Sequence, residues 1–153
     1  MMSRMCGLAS RLGFAAFAAA GLGASVATAQ CAPKMTAAPK VRIVQPSEGD
    51  TIIGSSVLVK LEAEGVEIAP AAEHRAGTAH HHLFLDVDVG KPDEGIPAGN
   101  PYIVHLGKGQ SEYTFEGVFA GPHRLIAVLA DANHVALMPW VVDTVNFVMT
   151  RRR

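Results

Sequence analysis

One feature constrains the fold of this chain most. From residue 41 onward, short apolar segments alternate with groups of turn-forming residues. The segments show almost no helical periodicity, and several alternate apolar with polar residues, as at Val57, Val59 and Leu61. The connections carry Gly, Pro and Asp, for example in residues 91–95 and 107–110. The pattern predicts seven β-strands, at residues 41–45, 57–64, 81–89, 102–106, 112–117, 123–130 and 142–150.

Seven short strands in roughly 110 residues are typical of an immunoglobulin-like antiparallel β-sandwich. We therefore predict a single all-β domain over residues 41–150. If every connection reverses the chain, the connections after the second, fourth and sixth strands lie at one common end of the sandwich. We call this the upper end.

The N-terminal residues have the composition of an export signal. Arg4 and Arg11 are followed by an apolar run over residues 12–24 and by the small residues Ala27 and Ala29. This predicts a signal peptide over residues 1–29, cleaved after Ala29, and a periplasmic or secreted protein. A lipoprotein is the alternative, but Gln30 stands where lipoprotein signals need a small residue. Residues 30–40 are predicted to be a flexible leader and residues 151–153 a solvated basic tail.

Charge and cysteine content restrict the remaining chain further. Without Arg4 and Arg11, 11 of the 13 basic residues remain against 14 acidic ones. This weakly acidic balance disfavours a general nucleic-acid binder, and we expect no transmembrane segment after cleavage. Only Cys31 would remain of the two cysteines, so no internal disulfide can form. Cys31 could join two chains, and its fate stays open.

Histidines provide the strongest functional signal. His80, His81 and His82 stand at the head of the third predicted strand, where side chains alternate between faces, so His80 and His82 share one face. Two adjacent imidazoles on one face are a natural start for a transition-metal site. The predicted topology adds His105 and His134 at the upper end. We predict a site for a transition metal, copper or zinc, with the ligands His80, His82, His105 and His134. In the alternative interpretation, these rings only bond loop carbonyls and close the sandwich end.

Two further residues are predicted to support the ligands. His81 shares its face with Leu83 and Leu85, so it points toward the core, where it would be structural or would orient a neighbouring ligand. Asp131 is an ordinary turn former that could also orient an imidazole.

The other polar groups carry weaker predictions. Asp86 and Asp88 are assigned to a solvated strand face, because their spacing lacks the loop geometry of a calcium site. His74 is predicted to be a surface residue, and His123 a turn residue at the lower end.

Three ordered segments resemble a bacterial family known as domain of unknown function 4399. The residues that carry the resemblance are Gly77 to Asp86 with the His-His-His-Leu-Phe-Leu-Asp run, Ile103 to Gln110, and Gly121 to His134. The likeness extends over about residues 69–147. It implies an exported, sandwich-like domain without an assigned activity. The third segment departs from the family at Gly121-Pro122, where the family has Pro-Gly, which affects only the turn geometry.

Three functions remain open on the sequence. The first is a non-enzymatic exported domain that binds a transition metal for sensing or delivery. The second is a structural or protein-interaction module of the cell envelope, with an envelope protein as partner and no metal. The third is a metal-dependent redox enzyme. No nucleophile elbow, phosphate-binding glycine loop or Cys-x-x-Cys pair is present, so no catalytic residue is assigned and a non-enzyme is favoured.

Overall fold

A computed structural model describes residues 37–151. The predicted signal peptide, most of the predicted leader with Cys31, and the last two residues of the basic tail lie outside this range. The described part is all-β and contains nine strands. They are β1 (Lys40–Gln45), β2 (Thr51–Ile53), β3 (Val57–Glu64), β4 (Glu67–Ile68), β5 (Thr78–Leu85), β6 (Ile103–Leu106), β7 (Glu112–Phe115), β8 (Gly121–Ala130) and β9 (Val142–Thr150).

Two sheets form the immunoglobulin-like sandwich. The first sheet has three strands in the order β1-β3-β7, all antiparallel. The second has the order β2-β9-β8-β5-β4, and β6 pairs with the part of β5 that lies beyond β4. The central pairs β5–β8 and β8–β9 are antiparallel, whereas the short strands β2 and β4 join their neighbours in parallel.

The main core lies between the two sheets and follows from the alternation within the strands. Val57, Val59 and Leu61 of β3 are buried, while Leu58 and Glu62, which point to the other face, are exposed. Phe147 and Met149 of β9 fill the opposite side of the same core. Period-two burial of this kind is expected for strands with one face toward solvent.

Strands β5 and β8 differ, because both of their faces are buried. Their inner residues, such as Leu83 and Leu125, belong to the main core, whereas Phe84, Ile126 and Val128 form a second apolar cluster with Ala136. We call this second cluster the outer core, because it lies on the face of the second sheet that points away from the first sheet. Two long connections cover it, residues 86–102 between β5 and β6 and residues 131–141 between β8 and β9.

All seven predicted strands are present, with small shifts at their ends, and two short strands were not predicted. The largest error concerns the third strand, which ends at Leu85 and not at residue 89. Asp86 has a left-handed backbone, with φ of 59°, and its carboxylate accepts hydrogen bonds from the Arg124 N–H and the His123 ring. The strand therefore stops where the Asp86 side chain caps it. No helix within residues 37–151 is long and apolar enough to cross a membrane.

Candidate metal centre

Strand β5 provides the two most buried histidines of the site. His80 and His82 are only 1% and 2% exposed, and they lie on the outer face, like Phe84. Their Nε2 atoms are 2.9 Å apart. The prediction that alternation along the strand puts the two rings side by side is confirmed.

His105 joins them from the neighbouring strand. It lies directly opposite His82 in the register between β5 and β6, and residues opposite each other in an antiparallel pair project to the same face. Its ring stacks on that of His82, with centroids 4.9 Å apart and planes 18° apart. It is exposed, unlike the two histidines of β5.

Gly107 provides the space that the His105 ring occupies. A Cβ atom at Gly107 would lie 2.3 Å from Cε1 and 2.5 Å from Nε2 of His105. These distances are far below any ordinary contact, so the imidazole lies over the bare backbone of Gly107. Gly107 is thus a positioning residue that the sequence analysis missed. Its signal was a glycine two positions after a histidine, directly beyond the end of β6.

His134 comes from the connection between β8 and β9. Its backbone is left-handed, with φ of 62°, and its N–H donates to the Asp131 carbonyl oxygen at 2.9 Å. The carboxylate of Asp131 accepts from the N–H groups of Asn133, at 2.9 Å, and Val135, at 3.0 Å. Across the site, the Ile96 N–H donates to the His134 carbonyl oxygen at 2.8 Å. The two long connections therefore hold each other, and the tight turn at Asp131 fixes the position of His134.

The four side chains form one group that we call the histidine cluster. Their centroids are between 4.6 and 5.6 Å apart, and one nitrogen from each ring lies within 4.8 Å of the others. The cluster comprises the residues that the sequence analysis selected as ligands, His80, His82, His105 and His134. It lies on the outer face of the second sheet, beside the outer core.

Burial favours the neutral form of three of these imidazoles, His80, His82 and His105, by lowering the pKa of each. Burial, followed by the charges of His105 and His134, lowers the pKa of His80 to about 4. Burial, followed by the charge of His80, lowers the pKa of His82 to about 3. Burial and then His134 also lower the pKa of His105. A neutral imidazole has a free nitrogen lone pair, which is the form that binds a metal.

The cluster has the dimensions and the chemistry of a transition-metal site. Four nitrogen atoms placed tetrahedrally at 2.0–2.1 Å from zinc are about 3.3 Å apart. The nitrogen atoms here span distances up to 4.8 Å, so small ring rotations would bring them onto one ion. The buried Nδ1 of His82 has no hydrogen-bond partner in the described part of the chain. A buried polar nitrogen without a hydrogen bond lowers the stability of the fold unless a bound ligand or water interacts with it.

The two predicted supporting residues have different surroundings. His81 points into the main core, as predicted, and is fully buried, and neither ring nitrogen has a partner among residues 37–151. Burial lowers its pKa to about 4. Asp131 bonds the backbone of its own turn and so supports His134 through the loop. That either residue orients a ligating imidazole stays a prediction.

The other polar residues with predictions, His74, His123, Asp86 and Asp88, lie outside the histidine cluster. His74 is exposed and outside the cluster, as predicted. His123 is not a turn residue, because it lies within β8 with a side chain only 10% exposed, bonded to Asp86 and to the Phe119 carbonyl oxygen. Asp86 and Asp88 do not extend a solvated strand face, since the strand has ended and Asp88 pairs with Arg124.

A cavity of about 390 Å³ adjoins the cluster on its exposed side. Three of the four histidines line it, His82, His105 and His134, so it reaches the place where their nitrogen atoms converge. Its other walls are largely apolar and include Ile96 and Ile103. The site therefore has a closed side on β5 and an open side toward this cavity.

Comparison with known proteins identifies a family over most of the described range. The family model described as "Domain of unknown function (DUF4399)" matches residues 59–149, which include all four histidines of the cluster. No protein with a curated description matches the chain.

Solved structures show a distant likeness in fold. The fibronectin(III)-like modules of Clostridium thermocellum CbhA align over 74% of this chain and 99% of theirs, with 14% identity and a TM-score of 0.44. The PKD domain of human KIAA0319 aligns over 81% of this chain and 91% of its own length, with 14% identity and a TM-score of 0.34.

Proposed function

We propose that this chain, which belongs to the family described as "Domain of unknown function (DUF4399)", is an exported domain that binds one transition-metal ion in its histidine cluster. The observation that carries the proposal is the convergence of four imidazole nitrogens within 4.8 Å. They come from β5, β6 and the connection before β9, which are distant in sequence. Chance does not readily explain why four histidines converge in this way. Three of them, His80, His82 and His105, also have lowered pKa values, which favour the neutral form that binds metals.

Zinc and copper are the ions that this ligand set suits best. All four donors are neutral imidazoles, which bind Zn(II) and Cu(II) well, and no thiolate or carboxylate belongs to the cluster. His80 and His82 are buried in the central strand, and His82, His105 and His134 line the cavity. Bound metal would enter and leave from the cavity side, which supports a role in sensing or delivery more than in holding the fold together.

Export is part of the same proposal. Residues 1–29 carry the sequence pattern of a signal peptide, with cleavage expected after Ala29. Mass spectrometry of the protein from its native host would give a mature chain that begins at Gln30. A chain that still begins at Met1 would contradict export by this route.

Metal titration of untagged protein tests the proposal. We expect one Zn(II) or Cu(II) per chain, and at 100 times the dissociation constant a stabilisation of about 2.7 kcal/mol. H105A removes an exposed ligand and should weaken binding without loss of folding, whereas H74A, which removes an exposed histidine outside the cluster, should not. Affinity no tighter than about 10 µM (about −7 kcal/mol), or equal affinity in H105A and the natural sequence, would contradict the proposal.

A further inference from the structure

The ligand set of the histidine cluster leaves the charge of a bound ion uncompensated. Four neutral imidazoles contribute no negative charge, so a divalent ion there would keep its full charge of +2. On β5 the site is closed to water, since His80 and His82 are almost completely buried. An isolated charge is costly in such surroundings unless a counter-charge lies close by.

The carboxylate of Asp131 is the described acidic group whose charge acts on the cluster, where it opposes the lowering of the His80 pKa by burial. It is the acidic group closest along the chain to His134, and the N–H groups of Asn133 and Val135 already engage it. Apart from its three histidines, the cavity beside the cluster has no charged side chain in its walls, neither Asp or Glu nor Lys or Arg. One carboxylate balances half of the charge of a divalent ion, so a second, singly charged anion from outside the chain would complete the compensation.

The cavity is suited to a particular class of anion. It is about 390 Å³ in volume, and it borders His82, His105 and His134 on one side. Ile96, Pro97 and Ile103 form apolar walls, and Asn133 adds a polar group near His134. A ligand with one negative group at the metal and a short apolar body would fill this space better than a small, strongly hydrated inorganic ion.

We propose that the cavity binds a small aliphatic carboxylate, whose charged end completes the coordination of the metal in the histidine cluster. The inference rests on the proposed metal site. The carboxylate adds a fifth ligand on the open side, next to the exposed His105, and its alkyl group lies against Ile96 and Ile103. Zinc expands from four to five ligands, so four histidines and one anion are compatible.

Cobalt(II) substitution provides the probe, because its visible absorption bands report the number and type of ligands. We expect propionate to change the bands of the Co(II)-loaded protein with saturation, and to do so at a concentration at least tenfold lower than chloride. A98F fills the cavity from an exposed loop position that holds no cluster residue. It should weaken the propionate response at least tenfold and leave the affinity for Co(II) within about twofold. A72L, an exposed loop position outside the cavity, serves as the control.

The outcomes separate this inference from the proposed function. Cobalt bands that no carboxylate changes, or an equal propionate response in A98F and A72L, would overturn the inference alone. A chloride response as strong as that of propionate would overturn the assignment to a carboxylate. Failure of Co(II), Zn(II) and Cu(II) to bind at all would overturn the metal site and the inference with it.

Discussion

At the scale of single residues, the proposed metal site depends on a glycine, Gly107, whose lack of a side chain leaves room for a ligand. The His105 ring occupies the volume that a Cβ atom at Gly107 would need. The Gly107 backbone is not in the left-handed region, so alanine is compatible with its conformation. Substitution there changes the position of the ring more than the stability of the strand.

We therefore predict that G107A displaces His105 and weakens metal binding. Residues that orient metal ligands typically change affinity on the order of 10- to 100-fold, and we expect a loss in this range. Isothermal titration with Zn(II) measures the affinity, and chemical unfolding checks the fold. G90A is the matched control, because a Cβ atom there meets only the end of the Glu94 side chain, at 3.9 Å. Equal affinities in G107A and G90A would contradict the role of Gly107.

Residue positions within strands were predictable because the pleat alternates side chains without exception in a regular strand. This rule separated His81 from its two neighbours and placed it in the main core. The rule does not predict which residues approach each other closely, so it did not reveal that Gly107 makes room for the His105 ring. It also could not show that the face with His80 and His82 is covered, since alternation within a strand does not predict where the connections that follow it fold.

At the scale of elements, two connections complete the site. The turn that begins at Asp131 holds His134, and the Ile96 N–H bonds its carbonyl oxygen from the other connection. Both connections also cover the outer core. The packing of these two connections over the outer core therefore also determines the position of His134.

We predict that D131A weakens metal binding about tenfold through the loop. Removing the carboxylate leaves the N–H groups of Asn133 and Val135 without their acceptor, at a cost of about 1 kcal/mol in stability. D131N keeps an acceptor oxygen and should retain most of the affinity. D93A, at an exposed position, is the control for a lost negative charge. If D131N loses as much affinity as D131A, the charge of Asp131 acts on the site directly and the turn is not the cause.

The long strands of the sandwich were predictable, and the short ones were not. β3 and β9 have enough alternating residues to show a period of two, and both were predicted over their full lengths. β2 and β4 have only three and two residues, too few for any pattern. The end of β5 at Leu85 depends on Asp86, whose hydrogen bonds to His123 and Arg124 come from a strand almost forty residues later. The sequence around Leu85 does not indicate contacts with residues so far along the chain.

At the scale of the whole molecule, three buried histidines link stability to pH. The pKa values of His80 and His81 are about 4 and that of His82 is about 3, whereas an unfolded histidine has a pKa of about 6.5. Between these values the unfolded chain binds more protons than the folded one. The free energy of unfolding is therefore highest above pH 6.5 and falls as the pH decreases toward 4.

Each buried histidine contributes a slope of at most about 1.4 kcal/mol per pH unit in this window. We predict that metal-free protein loses stability steeply between pH 6.5 and 4, as measured by urea unfolding at successive pH values. H81L removes one of the three groups from the main core, away from the ligands, together with two buried nitrogen atoms that have no partner within residues 37–151. At pH 5, H81L should have a higher free energy of unfolding than the natural sequence. The slope of its free energy of unfolding against pH should be smaller by the equivalent of about one proton. H74A removes an exposed histidine and should follow the natural sequence. If H81L and H74A have the same slope, His81 is not buried as a neutral group. A loss of metal affinity in H81L at pH 7 would instead show that His81 supports the ligands beside it.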